Sequence, residues 1–91
     1  MLIVSYDISN DKLRTRFSKF LTKFGFRLQY SVYQIKNSDA VLRNVATEIE
    51  TEFSKQFEQT DSVIIFRLSR QCKKYCYGYA INDNDELIII E

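Results

Sequence analysis

Asp7 is a carboxylate at the end of a strand-forming segment, where it could take part in chemistry. Ile3, Val4 and Ile8 favour a pleated strand, and the polar residues 9–11 end it by competing for backbone hydrogen bonds. Because the chain has no histidine, acid–base work would fall to a carboxylate, a tyrosine or metal-bound water. Asp7 is therefore the residue we expect to be functional. A strand-end aspartate can instead bond turn amides or cap the next helix.

Basic side chains repeat with a helical period just after Asp7 and could bind phosphate. The stripe consists of Lys12, Arg16, Lys19 and Lys23. Arg14 points elsewhere, near the Asp7 end. Four like charges on one stripe repel one another unless counter-ions or a phosphate chain neutralise them. The stripe is either a solvated helix surface or a phosphate contact, and we favour phosphate contact.

A second basic cluster follows later in the chain, with aromatic residues interleaved. Its basic members are Arg67, Arg70, Lys73 and Lys74, and no acid occurs between Ser62 and Asn82. Cations interleaved with aromatics suit nucleic acid. The alternation of Tyr75, Tyr77 and Tyr79 is equally typical of a half-buried strand, so both interpretations stay open.

The charge of the chain is unevenly distributed although its net value is only +1. Residues 1–45 carry a net charge of +5, and residues 46–91 carry −4. Such polarity could steer a polyanion to one face, or it could reflect solvated helix surfaces. With 91 residues, 45% of them apolar, the sequence predicts one globular domain spanning 1–91.

Neither a zinc site nor a membrane segment is expected. Cys72 and Cys76 are the only cysteines, and without histidine a zinc site lacks ligands, so we interpret both as reduced thiols. The sequence shows no signal-peptide pattern and no apolar run that approaches the length of a membrane span. We expect a cytoplasmic protein that does not associate with membranes.

Two segments with apolar residues at helical spacing must position these side chains. The first begins after Ser9 or Asn10 as the cap, and we expect Gly25 to end it with a positive φ. The second begins at Ser38 or Asp39. Their apolar stripes are Leu13, Phe17, Phe20, Leu21 and Phe24 in the first helix, and Leu42, Val45, Ile49, Phe53 and Phe57 in the second.

The remaining apolar segments predict strands. Residues 26–36 form one strand or two, and residues 62–68 are predicted to form a central strand. The tail 86–91 is apolar on both faces, so we expect it to be covered by addition to the sheet of a second copy. The order predicts an α+β, ferredoxin-like βαββαβ sandwich, with two helices on one face of an antiparallel sheet, in a homodimer.

Three blocks of the sequence, in this order and spacing, resemble the CRISPR-associated protein 2 family of small dimeric adaptation proteins and endoribonucleases. The first block is residues 4–8 (VSYDI) followed by residues 13–16 (LRTR). The second is residues 25–33 (GFRLQYSVY), and the third is residues 61–68 (DSVIIFRL). The resemblance covers about the first three quarters of the chain, and residues 69–85 do not match closely.

The resemblance implies a homodimer in which Asp7 of both subunits flanks a magnesium ion, or alternatively manganese, at the two-fold interface. The positions tied to the nuclease site in that family are here Tyr6, Arg14, Arg16, Arg27 and Tyr33. Tyr33 stands where phenylalanine is commoner, and we expect little effect because a ring is kept. The arginines would neutralise charge on the phosphoryl oxygens, and losing such a donor typically costs on the order of 10² to 10³ in rate.

The same resemblance implies a second role, as the central bridge of the complex that integrates new spacers. There the partners would be the integrase subunit and duplex DNA, and Asp7 could be dispensable. The first hypothesis is accordingly a metal-dependent endonuclease acting on RNA or DNA. The alternative is a non-catalytic DNA scaffold that contacts phosphates through both basic clusters. An RNA-recognition motif is disfavoured because its basic-glycine-aromatic signature is missing.

Overall fold

A computed structural model describes residues 1–69, 71–77 and 88–90, and of Cys76 and residues 88–90 only the backbone. The described strands are β1 (Leu2–Asp7), β2 (Gly25–Gln29), β3 (Val32–Ile35), β4 (Ser62–Arg67), β5 (Tyr75–Tyr77) and β6 (Ile88–Ile90). The helices are α1 (Asp11–Thr22) and α2 (Asp39–Glu48), and α2 continues into a π-helical turn (Ile49–Phe53) and a 3₁₀ turn (Ser54–Gln56).

The first four strands form an antiparallel sheet in the order β2-β3-β1-β4. Both helices pack on one face of it, where Val4, Tyr33 and Ile35 meet Phe17 and Val45 in a single core. The predicted α+β architecture is confirmed. We call the opposite side of the sheet the open face, because no helix of the described residues packs on it.

Helix α1 follows its predicted pattern. Asn10 is the cap, and its side chain accepts a hydrogen bond from the Leu13 amide at 2.9 Å. Leu13, Phe17 and Leu21 are buried. Phe20 and Phe24 are partly buried against the same core.

The prediction that Gly25 ends α1 with a positive φ is wrong. Lys23 ends α1 in a right-handed conformation, and Gly25 is the first residue of β2. A Cβ at this position would lie 1.9 Å from the carbonyl oxygen of Gln34 and 2.6 Å from the Cα of Ile35. Glycine is therefore required by the close approach of β3 and not by a positive φ.

The segment 26–36 is two strands. The chain turns at Tyr30 and Ser31, and Ser31 has a φ of 70°. The Ser31 carbonyl accepts a 3.1 Å hydrogen bond from the Tyr6 amide, which holds the turn against β1. A serine in the left-handed region explains why the sequence shows no glycine, asparagine or aspartate at this turn.

Helix α2 changes to π-helical geometry in the segment where its apolar residues are spaced four apart. An α-helix turns by about 100° per residue, so four-residue spacings drift around its surface. The π-helical turn lies between Ile49 and Phe53 and opposes this drift, because it turns less per residue. The aromatic ring of Phe53 contacts that of Phe17, with centroids 4.9 Å apart.

Strand β4 lies at an edge of the sheet, so its predicted central position is wrong. Val63 and Ile65 face the helices, whereas Ile64 and Phe66 lie on the open face and are 52% and 47% exposed. The apolar run of β4 therefore arises because both faces of the strand are apolar, and not because the strand is paired with another strand along each edge. The outer edge of β4 has no strand partner among the described residues.

The C-terminal part of the described chain forms a second, smaller sheet. Strands β5 and β6 pair in parallel, with Tyr75 opposite Ile88 and Tyr77 opposite Ile90. Residues 86, 87 and 91 lie outside the described part. Addition of the tail to a second copy stays a prediction.

Candidate active site and nucleic-acid interface

Asp7 is the last residue of β1, and its side chain is exposed on the open face. Side chains alternate along β1, so Tyr6 is buried against the helices and Asp7 points the other way. Its Cα pairs with that of Ser62 at the start of β4. Within the described residues the Asp7 carboxylate accepts no hydrogen bond, so its oxygens are available to a ligand.

Arg14 fixes the loop that follows Asp7. Its Nη1 donates a 3.0 Å hydrogen bond to the Ile8 carbonyl, and its Nη2 forms an ion pair with Asp11. The hydrogen bond that Arg14 donates to the Asp11 carboxylate raises the pKa of the guanidinium, so this side chain stays charged. Arg14 is thus partly neutralised and holds the start of α1.

Asp61 holds the same loop from the other side. Its Oδ1 accepts hydrogen bonds from the Ser9 amide and hydroxyl, both at 3.0 Å, and its Oδ2 accepts from the Glu58 amide at 2.9 Å. The Ser9 hydroxyl also lies 2.8 Å from Glu58 Oε2. The backbone amides of Glu58 and Ser9 lower the pKa of Asp61. The end of β1 is therefore fixed by a side chain that follows α2.

A polar cavity lies between α1 and the β2–β3 turn, on the helix side of the sheet. Its volume is about 350 Å³. Its lining includes Tyr6, Arg14, Ser18, Lys19, Arg27 and Tyr30. We call this the arginine pocket. It brings together three of the predicted nuclease residues, Tyr6, Arg14 and Arg27, but Asp7 and Arg16 do not line it.

Arg27 and Tyr33 meet beneath the arginine pocket. The Arg27 Nη2 donates a 2.9 Å hydrogen bond to Ser18 Oγ, which lies 2.5 Å from the Tyr33 hydroxyl. The guanidinium stacks over the Tyr33 ring, 5.6 Å from its centroid. The Nε of Arg27 is buried and has no hydrogen-bond partner among the described residues.

Tyr6 is a protonated phenol at neutral pH. Burial raises its pKa above the ordinary value because the phenolate would lose solvation, while a hydrogen bond from Ser18 and the charge of Arg27 act in the opposite direction. The phenol can donate a hydrogen bond, but it is a poor general base.

Arg16 lies away from both Asp7 and the arginine pocket. Its Nη2 donates a 2.6 Å hydrogen bond to Gln56 Oε1, and it lines a separate cavity with Glu48 and Glu52. This contact joins α1 to the 3₁₀ turn after α2. The acidic surroundings weaken the attraction of Arg16 for phosphate.

One chain does not form a complete metal site in its described part. No group of three or more cysteine, aspartate or glutamate side chains lies close enough there to hold an ion. Asp7 supplies a single carboxylate. Mg²⁺ is commonly held by one or two carboxylates with several waters, so Asp7 fits as one ligand of such an ion, and a donor from another molecule could supply the second.

The basic stripe of α1 is exposed as predicted. Lys12, Lys19 and Lys23 are exposed and form no ion pair with the described part of the chain. Arg16 is exposed too, but one of its nitrogens is bound to Gln56, so the three lysines are the cations of the stripe whose side chains form no hydrogen bond within the described residues.

The second basic cluster lies toward the end of the sheet remote from Asp7, since Arg67 pairs with Leu2 at the start of β1. Arg67 forms a 2.6 Å ion pair with Asp39, and this contact lowers the pKa of that carboxyl. Lys74 donates a 2.6 Å hydrogen bond to Gln34 and lies 5.4 Å from the centroid of the Phe26 ring. Lys73 is exposed. Arg70 lies outside the described residues.

Comparison with known proteins identifies the family. The family model described as CRISPR associated protein Cas2 matches residues 1–75 of this chain. The chain belongs to the Cas2 family. Family membership supports a role in CRISPR adaptation.

A named relative agrees with this assignment. The CRISPR-associated endoribonuclease Cas2 2 of Methanospirillum hungatei is 29% identical over 72 residues, which cover 79% of this chain and 76% of the relative. The name assigns ribonuclease activity to that relative.

Two solved structures share the fold. A hypothetical protein, TT1823, from Thermus thermophilus superposes with a TM-score of 0.67 at 22% identity, covering 80% of this chain and 85% of its own. Cas2 of Streptococcus pyogenes superposes with a TM-score of 0.63 at 19% identity, covering 77% and 87%. At these identities the likeness establishes the fold alone. No helix in the described part of the Cas2 chain is long and apolar enough to cross a membrane.

Three residues of the site were not singled out from sequence. Ser18 and Tyr30 line the arginine pocket, and Asp61 anchors the loop after Asp7. Asp61 belongs to the third resembling block, which is the only signal that could have found it. Ser18 lies one turn after Arg14 on α1, so helical periodicity places the two side chains on the same face of the helix. The contact of Ser18 with Arg27 could not be predicted, because it depends on how β2 packs against α1.

Proposed function

We propose that this Cas2 family member is a homodimeric, metal-dependent endonuclease whose reactive carboxylates are the two copies of Asp7. The observation that supports this most is the exposed carboxylate of Asp7, which accepts no hydrogen bond within the described chain and stands at the end of an apolar sheet face. A catalytic carboxylate must keep its oxygens available to a ligand, and Asp7 does so.

The open face supports the dimer. Ile64, Phe66 and Leu68 are exposed there or at its margin, with fractions of 52%, 47% and 36%. A soluble protein seldom leaves such a group uncovered. A two-fold axis that passes near the Asp7 end of this face would bring the two Asp7 side chains toward each other, because an isologous interface places each residue near the axis beside its own copy.

The proposed chemistry is hydrolysis of a phosphodiester bond. The Asp7 pair would hold Mg²⁺ or Mn²⁺, which when bound supplies an activated water and withdraws charge from the phosphate. Asp61 and Arg14 keep the end of β1 in place, so that each Asp7 is presented from a fixed strand. Tyr6 supports the strand from beneath as a buried ring.

Replacing Asp7 with Asn tests the enzyme. We expect cleavage of single-stranded RNA or duplex DNA, measured with and without Mg²⁺, to fall by on the order of 10² or more, with nucleic-acid affinity unchanged. Asp39→Asn is the matched control, since Asp39 is exposed and pairs with Arg67 away from the site. Unchanged metal-dependent cleavage by purified Asp7→Asn would exclude Asp7 as the reactive group.

A second candidate is a DNA-holding bridge that binds the CRISPR integrase subunit and does no chemistry itself. The three exposed lysines of α1 favour it, because they form no ion pair with the described part of the chain. Changing Lys12, Lys19 and Lys23 to Gln should lower duplex affinity and reduce the salt slope by about 0.9 for each phosphate that is no longer neutralised. Changing Lys36 and Lys55 is the control. An unaltered slope in the triple variant would count against the bridge surface.

A further inference from the structure

The arginine pocket has the composition of an anion site. Arg14, Lys19 and Arg27 line it, and no carboxylate is among its lining residues. Asp11 pairs with Arg14 from outside the pocket, which leaves Lys19 and Arg27 as its uncompensated cations within the described chain. With a volume of about 350 Å³, the cavity can hold a phosphate group and part of what is attached to it.

The donors of the pocket are fixed before any ligand arrives. Ser18 holds one Arg27 nitrogen at 2.9 Å, and Tyr33 holds Ser18 from below at 2.5 Å. The buried Arg27 Nε has no partner within the described chain, and its burial keeps it from reaching a ligand in the cavity. The Nη1 of Arg27 donates no hydrogen bond within the described chain and is not among the buried unpaired atoms, so it is open to solvent. A guanidinium fixed through Nη2 with Nη1 unused suits phosphate.

An aromatic ring stands beside these cations. Tyr30 lies in the β2–β3 turn, lines the pocket and is 74% exposed. A solvent-exposed ring next to a phosphate-binding group is the arrangement on which nucleobases stack. The neighbouring Ser31 has a positive φ, which fixes the path of the turn that carries the ring.

We propose that the arginine pocket binds one nucleotide, with its phosphate held by Arg27 and Lys19 and its base stacked on Tyr30. The proposal deepens the proposed nuclease function, on which its biological use rests, since the pocket would hold part of a bound strand on the helix side of the sheet. Binding itself requires neither Asp7 nor a metal ion. Asp7 points to the other face of the sheet, so the two sites can be tested separately.

Adenosine 5′-monophosphate and adenosine are the probes, and binding is measured by NMR titration of the full chain without metal. We expect the monophosphate to bind at least ten times more tightly than adenosine. Arg27→Gln should reduce monophosphate affinity at least tenfold, and Tyr30→Ala should weaken the monophosphate but not inorganic phosphate. Equal affinity for the two probes, or full affinity in Arg27→Gln, would overturn the proposal.

Two further variants test the proposal if Arg27→Gln cannot be used. If Arg27→Gln does not fold, the exposed Lys19→Gln should weaken the monophosphate about threefold or more, and full affinity in that variant would count against the pocket. The distant Lys55→Gln is its control. Asp7→Asn should bind the monophosphate normally while losing cleavage, so failure of the pocket and failure of the nuclease remain distinguishable.

A pair of tetranucleotides, with and without a 5′-phosphate, identifies the source of the phosphate. Tighter binding of the phosphorylated strand assigns the pocket to strand ends or free nucleotides. Equal binding, provided that Arg27→Gln weakens both strands, assigns it to internal phosphates. Equal binding that Arg27→Gln does not change would show that nucleic acid is held elsewhere and would contradict the proposal.

Discussion

Tyr6 and Asp7 are adjacent in sequence but serve opposite faces of the sheet. Tyr6 packs edge-on against the Phe17 ring, with centroids 5.0 Å apart, and is 6% exposed. Asp7 is exposed on the open face. The strand alternation alone separates a buried ring from an exposed carboxylate. Two adjacent residues of the family motif therefore lie in different environments.

Tyr6→Phe should lower cleavage by less than tenfold, and it should change the free energy of unfolding by about 1 kcal/mol or less. The ring stays in the core, and the raised pKa of Tyr6 excludes a phenolate base at neutral pH. The measurements are cleavage rate against pH and urea denaturation. A loss as large as that of Asp7→Asn, together with a changed alkaline limb of the pH profile, would show that the hydroxyl takes part in chemistry.

Among the elements, the junction between α1 and β2 depends on Gly25. A methyl group there would meet the Gln34 carbonyl and the Ile35 Cα, and neither backbone atom can move without disturbing β3. Gly25→Ala should therefore destabilise the protein by at least about 3 kcal/mol in chemical denaturation. Ala40→Gly, at an exposed position in the first turn of α2, is the control for a change of the same size. A loss below about 1 kcal/mol in Gly25→Ala would show that β2 and β3 can separate at little cost.

The contribution of the loop between β1 and α1 to the stability of the fold should decrease in acid. The folded pKa of Asp61 is lowered, so its contribution is fully present above the ordinary carboxyl pKa and is lost as pH falls through the lower folded value. Asp61→Asn should thus be less stable than the parent chain at pH 7, with a smaller difference near pH 3. Urea midpoints at both pH values measure this. Glu50→Gln is the exposed control, and a pH-independent difference in Asp61→Asn would contradict the role of charge.

The helices and the order of strands and helices along the chain were predictable because their signals are local. Periodic apolar residues and the cap at Asn10 suffice to locate α1. The turn at Ser31 and the need for Gly25 were not predictable, since each depends on which backbone lies opposite. The edge position of β4 was also missed. An apolar run indicates that both faces of a strand are apolar, but it does not indicate whether another strand pairs with each of its edges. The arginine pocket needs α1, β2 and the turn together, so no local pattern reveals it.

At the scale of the whole molecule, the exposed cations and the exposed apolar residues lie on opposite sides of the sheet. The α1 lysines and the arginine pocket lie on the helix side, whereas Asp7 and the apolar residues lie on the open face. A second copy could cover the open face without hiding the lysines. The proposed dimer surface and the proposed polyanion surface are thus separate, so the two proposals are compatible in one molecule.

Phe66→Glu should convert the proposed dimer into monomers. The side chain is 47% exposed on the open face, and burying an unpaired carboxylate in an apolar interface is strongly unfavourable. The expected result is a monomer by light scattering at about 10 µM, with an unchanged circular dichroism spectrum and loss of metal-dependent cleavage, because one chain supplies only one Asp7. Thr47→Glu, an exposed change on α2, is the control and should stay dimeric. If Phe66→Glu remains a dimer, the two-fold axis lies on another surface, and the convergence of the two Asp7 carboxylates on one ion cannot hold.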